Sequence, residues 1–217
     1  MGSHVIPPQG QCEVITGRAE NYPVSASAIV LNGGSSRRMG RDKASLPFGD
    51  ESLLQRAVRL VTSVTDEVVI VGRSTGGPAN VRVIADPIEG QGPLSGLLSG
   101  LDAVASSHVM LVACDLPLLA PAVVVRLLEL VGDADACVPR IGGIAMPACA
   151  VYATRIAGTA REQLATGDRS LRGLLDRLHV RWVSADELRD VDPDLVSFVD
   201  CDTPDDYGAA LARAGYL

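Results

Sequence analysis

Short apolar runs separated by segments of helical spacing recur along most of this chain, and that alternation constrains its fold more than any other feature. Residues 26–31 form an apolar run ending in Asn32-Gly33-Gly34, the pattern of a strand entering a tight turn. Leu53, Leu54, Ala57, Val58, Leu60, Val61 and Val64 then follow at helical spacing. Further strands are expected over 67–71, 81–84, 109–113, 134–138 and 148–152, with short ones at 181–183 and 196–199. Helices are expected over 94–104, 121–131, 156–164, 171–178 and 203–214, the last with Thr203 as its cap and Pro204 in its first turn. Strands separated by helices of about 10–15 residues predict an α/β fold: a doubly wound, mostly parallel sheet with helices on both faces, Rossmann-like in outline.

Composition agrees with that architecture. Aromatic residues are only 3% of the chain, so the core must be built from Val, Leu, Ile and Ala, which suits parallel strands buried under helices. The length of 217 residues favours one domain, expected over 25–217, behind a loose N-terminal extension of residues 1–24 that holds Pro7, Pro8 and Pro23. Five scattered cysteines (Cys12, Cys114, Cys137, Cys149, Cys201) include no C-x-x-C pair and read as reduced, mostly buried thiols. No apolar run reaches the ~18 residues of a membrane span and no secretory signal opens the chain, so a cytoplasmic, membrane-free protein is expected. The net charge is −7, concentrated in residues 184–206, where nine acids face Arg189 alone; nothing resembles a basic nucleic-acid footprint.

In doubly wound sheets, ligands sit outside the carboxyl ends of the strands. At the first such end, residues 31–43 carry three glycines, three arginines and Lys43, the only lysine in the chain. Glycines expose backbone N–H donors and an ammonium is a compact charge for a phosphate oxygen, so this loop reads as a phosphate cradle. It matches neither the P-loop nor the G-x-G-x-x-G pattern, which argues against a dinucleotide-dependent oxidoreductase. At the second end, Asp86 either accepts hydrogen bonds from a base or ribose or is a plain turn residue before Pro87. At the third, five apolar residues lead into Asp115. A carboxylate there needs a cation, Mg²⁺ in company with substrate phosphates, unless it caps a helix. At the fourth, Asp200 and Asp202 share one side of an extended segment, as a second metal ligand, as contacts to an acceptor molecule, or as surface acids before a helix. Only three histidines are present and none accompanies a candidate nucleophile, so acyl-transfer triads find no support.

These residues resemble the molybdenum cofactor guanylyltransferase family, within the larger nucleotidyltransferase group. The family's opening pattern, L-x-G-G-x-S-x-R-M-G-x-D-K, is matched by Leu31, Gly33, Gly34, Ser36, Arg38, Met39, Gly40, Asp42 and Lys43. Asp86, the Gly92-Pro93-Leu94-Ser95-Gly96 block, Cys114-Asp115-Leu116-Pro117 and Asp202-Thr203-Pro204 follow in the family's order. The resemblance implies Mg²⁺-dependent transfer of GMP from GTP to the terminal phosphate of molybdopterin, with release of pyrophosphate. It implies that Leu31, Asn32, Gly33 and Gly34 cradle the nucleotide, that Asp86 contacts it, and that Lys43 and Arg38 stabilise its phosphates. Asp115 would bind Mg²⁺ and bring it to the phosphates; Asp200 and Asp202 stay open between a second metal ligand at Asp202 and contacts to the acceptor. Two positions depart from the pattern: Asn32 stands where the family usually has Ala, and Asp202 where guanylyl members usually have Asn. An Asp-x-Asp-Thr-Pro block is more typical of relatives that use CTP on the same pterin. Cytidylyl transfer, transfer to another phosphorylated acceptor, and a non-catalytic nucleotide-binding regulator therefore stay open beside GTP. A monomer is expected, with proteins that deliver or receive molybdopterin as its partners.

Overall fold

The structure, a computed structural model, describes residues 25–33, 42–72, 77–85 and 92–217. Its centre is β1 (Ala26–Asn32), every residue of which is buried. Flanking it are β4 (Glu67–Gly72) and β6 (His108–Ala113), both parallel to it, with β5 (Arg82–Ile84) parallel to β4 at one edge. On the other side come β9 (Cys149–Ala153), β7 (Ala136–Ile141) and β10 (Val180–Ser184), so the strand order is β10-β7-β9-β6-β1-β4-β5. β9 runs antiparallel to both β6 and β7, and β8 (Ile144–Ala145) hairpins back on β7. Pro47–Phe48 (β2) and Glu51–Ser52 (β3) form a separate small hairpin.

Because side chains alternate across a strand, β1 feeds both cores. Ala28 and Val30 pack with Leu54, Val58, Met110, Val112, Val124 and Leu127 beneath α1 (Leu53–Thr62) and α3 (Pro121–Leu130). Ile29 and Leu31 pack with Val69, Leu97, Leu111 and Leu174 beneath α2 (Pro93–Leu101), α4 (Ala157–Ala165) and α5 (Leu171–Leu175). Glycines let α2 lie close on β1: a Cβ on Gly100 would fall 2.4 Å from Ile29, and one on Gly96 would fall 2.7 Å from Leu31. That approach fixes the start of α2 near the carboxyl ends of the strands. A third, smaller cluster joins Leu46, Phe48 and Leu53 to Cys201 and Ala210 of α6 (Pro204–Arg213). No described helix is long and apolar enough to cross a membrane.

Most expected elements form, and Thr203 does cap α6, its side chain accepting from the Asp206 amide with Pro204 in the first turn. The short strand expected over 196–199 does not: Val196–Phe198 is a turn of 3-10 helix. Buried Asp192 explains this, since its carboxylate accepts the amides of Val196 (3.1 Å) and Ser197 (2.9 Å) and winds the segment up. The extension of residues 1–24, with Cys12, lies outside the described residues. The four described cysteines are free thiols, with Cys137, Cys149 and Cys201 buried.

Candidate functional site

Two main-chain hydrogen bonds draw the candidate residues together. The Cys114 amide donates to Leu31 O (3.4 Å), joining the end of β6 to the end of β1. The Cys201 amide donates to Asp115 O (3.0 Å), laying residues 200–202 along the same edge. Asn32 is only 2% exposed at the last position of β1, where Gly72 stands opposite with φ +130°. A Cβ on Gly72 would lie 2.1 Å from Asn32 O, so only glycine permits this approach.

Lys43 reaches the edge from a short 3-10 turn, Lys43–Ser45, capped by Asp42, whose carboxylate accepts the Ala44 amide. Its ammonium donates to Asp115 Oδ2 at 3.4 Å and to Asp202 Oδ1 at 2.5 Å. Burial works to lower the Lys43 pKa, but the Asp202 hydrogen bond and the Asp115 charge outweigh it and hold the group above its ordinary value. Asp200 moves the other way for an acid: burial, then the charges of Asp202 and Asp115, push its pKa up. Cys114 and Cys201 are pushed up to about 12, chiefly by burial, so neither is a thiolate nucleophile near neutral pH.

The structure thus brings Lys43, Asp115 and Asp202 together, with Asp200 beside them and Leu31, Asn32 and Gly33 at the adjoining strand end. Helix capping does not account for Asp115, because α3 starts only at Pro121 behind Ala120. The Leu31 side chain is buried against α2, which leaves only its main chain for any ligand. Gly34, Arg38 and Asp86 lie outside the described residues.

One feature escaped the sequence reading. A cavity of about 530 Å³ opens between Pro93 at the start of α2, Pro147-Ala148 before β9, and residues 167–172, which run from the loop after α4 into the first turn of α5. Arg169 and Arg172 line it. The loop is tightly built: Asp168 accepts the Ser170 amide at 2.9 Å, and buried Gln163 donates to both Asp168 (3.1 Å) and Ser170 O (2.9 Å). Gly92, at φ +81°, packs so close to the Arg169 main chain that a Cβ there would fall 3.0 Å from its carbonyl oxygen. The cavity adjoins the site because Ala148 O accepts the Ala113 amide (3.0 Å), two residues before Asp115. The sequence signal was a pair of arginines around the helix-capping Ser170, but only the fold places them.

A doubly wound sheet with a lysine and carboxylates gathered at its carboxyl edge is an arrangement that suits a nucleotidyltransferase. Residues 28–182 match the family model of the MobA-like NTP transferase domain, and the chain belongs to that family. It is 33% identical over 193 residues to a probable molybdenum cofactor guanylyltransferase of Pelotomaculum thermopropionicum, covering 88% of this chain and 94% of that one. It is 32% identical over 199 residues to the molybdenum cofactor guanylyltransferase of Desulfosudis oleivorans, covering 89% and 98%. Among solved structures, molybdopterin-guanine dinucleotide biosynthesis protein A of Archaeoglobus fulgidus shares the fold, with a TM-score of 0.75 at 24% identity, covering 88% of this chain and all of that one (100%).

Proposed function

We propose that this chain transfers GMP from GTP to the terminal phosphate of molybdopterin and releases pyrophosphate. The observation that carries this reading is the meeting of Lys43, Asp115 and Asp202 from three distant parts of the sequence at one strand edge. The names of the curated relatives support the choice of GTP and of the pterin acceptor. An oxygen of the acceptor phosphate attacks the α-phosphorus of GTP, and the bond from that phosphorus to the bridging oxygen of pyrophosphate breaks. The attacking phosphate is already ionised near neutral pH, so the reaction asks for positioning and charge neutralisation more than for a general base.

Lys43 meets the phosphates, together with Arg38 from the family pattern. The main chain of Leu31, Asn32, Gly33 and Gly34 cradles the nucleotide, and Asp86 contacts it. Asp115 and Asp202 fit a divalent ion, Mg²⁺: they are an all-oxygen pair that already reaches one cation jointly. Among the described residues no group of three or more His, Cys, Asp or Glu side chains gathers to hold an ion alone, consistent with phosphate oxygens completing its shell. When bound, such an ion supplies charge neutralisation at phosphate oxygens. The Arg169 and Arg172 cavity suits the anionic end of an acceptor, and Asp200 with Asp202 contacts that acceptor.

The test is pyrophosphate release with molybdopterin and each of GTP, CTP, ATP and UTP. Release with GTP, and little with the others, is expected. Faster release with CTP would transfer the reading to the cytidylyl relatives, which the carboxylate at Asp202 favours. Thermal stabilisation by nucleotide with no release, whatever the phosphorylated acceptor, would make the chain a binding protein.

A further inference from the structure

The side chain of Lys43 is only 17% exposed, and its ammonium reaches both Asp115 (3.4 Å) and Asp202 (2.5 Å), the two carboxylates an ion would share. One monovalent charge against two carboxylates leaves the trio at −1, enough to attract a divalent ion but with an oxygen of each already engaged by the ammonium. An ion arriving alone must displace the ammonium into a partly buried setting and strip it of both carboxylates, which is costly. An ion arriving with a triphosphate meets a different balance, because the nucleotide brings anionic oxygens for the lysine. The four-carbon stem and three rotatable donors of a lysine allow that transfer, where a rigid guanidinium fork would not.

We propose that Lys43 is an internal stand-in for the divalent ion: it holds Asp115 and Asp202 until nucleotide and ion enter together, then passes from the carboxylates to the phosphates. This rests on the reading of the two carboxylates as ion ligands. Its consequence is coupling. The ion binds weakly without nucleotide, and by reciprocity each raises the affinity of the other by the same factor. The main chain favours such an exchange, since the Cys201 amide bonded to Asp115 O keeps the two acidic segments joined whichever cation lies between them.

The first measurement is Mn²⁺ binding without nucleotide, read as the loss of the free-ion electron paramagnetic resonance signal. Lys43→Met is expected to bind Mn²⁺ at least ten-fold more tightly than the unaltered protein, and adding Asp202→Asn should abolish that gain. An unchanged affinity in Lys43→Met, or a gain that survives Asp202→Asn, overturns the proposal. A second measurement needs no variant. Lys43 is the only lysine in the chain, so protein made with ¹³C-lysine has one Cε resonance. Mg²⁺ alone should leave that resonance in place, and Mg²⁺ with GTP should shift it; an equal shift with Mg²⁺ alone overturns the exchange. Failure of the underlying reading looks different: Asp115→Ala would bind Mn²⁺ in the presence of GTP as tightly as the unaltered protein.

Discussion

The two ends of β1 and β6 satisfy their polar groups in opposite ways. At the amino ends, hydroxyls and main chain close on one another. The Ser27 amide donates to Ser106 Oγ (3.1 Å), Ser106 Oγ donates to His108 O (2.8 Å), and Thr154 Oγ1 donates to Ser107 O (3.1 Å). At the carboxyl ends, full charges from separate elements meet across side chains, with Lys43 between Asp115 and Asp202. Neutral hydrogen bonds to the main chain close an edge for good. Charges held by other side chains can exchange partners with a ligand. The first arrangement supports the sheet, and the second keeps it ready for chemistry.

The contrast breaks most visibly at the carboxyl edge. Asp115→Ala should cut pyrophosphate release about 10²–10³-fold, the usual cost of one charge-stabilising group. Turnover within a factor of a few of the unaltered protein would remove Asp115 from the reaction. Next in size is Gly72→Ala, which sets a Cβ 2.1 Å from Asn32 O at φ +130°. Urea unfolding should show a loss on the order of 3 kcal/mol, from the forced backbone together with the clash. At the amino ends, Ser106→Ala leaves the buried Ser27 amide without that acceptor and should cost about 1–3 kcal/mol, with pyrophosphate release unchanged. A turnover defect there would erase the distinction between the two ends.

The smallest effects are those of pH, and they carry opposite signs. Glu187 accepts the Ser184 amide (3.0 Å) and hydroxyl (2.9 Å) and pairs with Arg181; these bonds, the Ser184 amide first, lower its pKa from 4.5 to about 2. That stabilisation is present above pH 4.5 and is lost as pH falls toward 2, so Glu187→Gln should flatten the acid limb of a melting-temperature profile. Asp200 is raised above 3.8, so its ionised form opposes folding once pH exceeds that value. Asp200→Asn should therefore raise the melting temperature at pH 7, with the gain fading below about pH 3.8. A loss of stability at pH 7 would contradict the crowding of carboxylates at that edge.

Much of this was legible in the chain. The apolar run into Asn32-Gly33, the run into Asp115 and the Thr203-Pro204 helix start each fix an element locally, and the strand-end rule then points to Lys43 and Asp115, whereas Asp202 is reached from an expected strand that does not form. The misread stretch, 196–199, is apolar and β-branched enough to pass for a strand, and what overrides it is the carboxylate of Asp192, four and five residues before the amides it accepts. The reversal of β9 did leave a trace: Gly142-Gly143, at φ +56° and +83°, form the two-glycine turn of the β7–β8 hairpin that turns the chain back before β9. The cavity walled by Arg169 and Arg172 left almost none, because its walls come from three segments that only packing makes neighbours.

The bond from the Cys201 amide to Asp115 O ties the end of β6 to a segment made later in synthesis. A nascent chain emerging from a ribosome carries Lys43 and Asp115 well before Asp202 appears. Until residues 200–202 dock, that half-assembled edge lacks one of its two carboxylates, so binding competence arrives only once they have emerged.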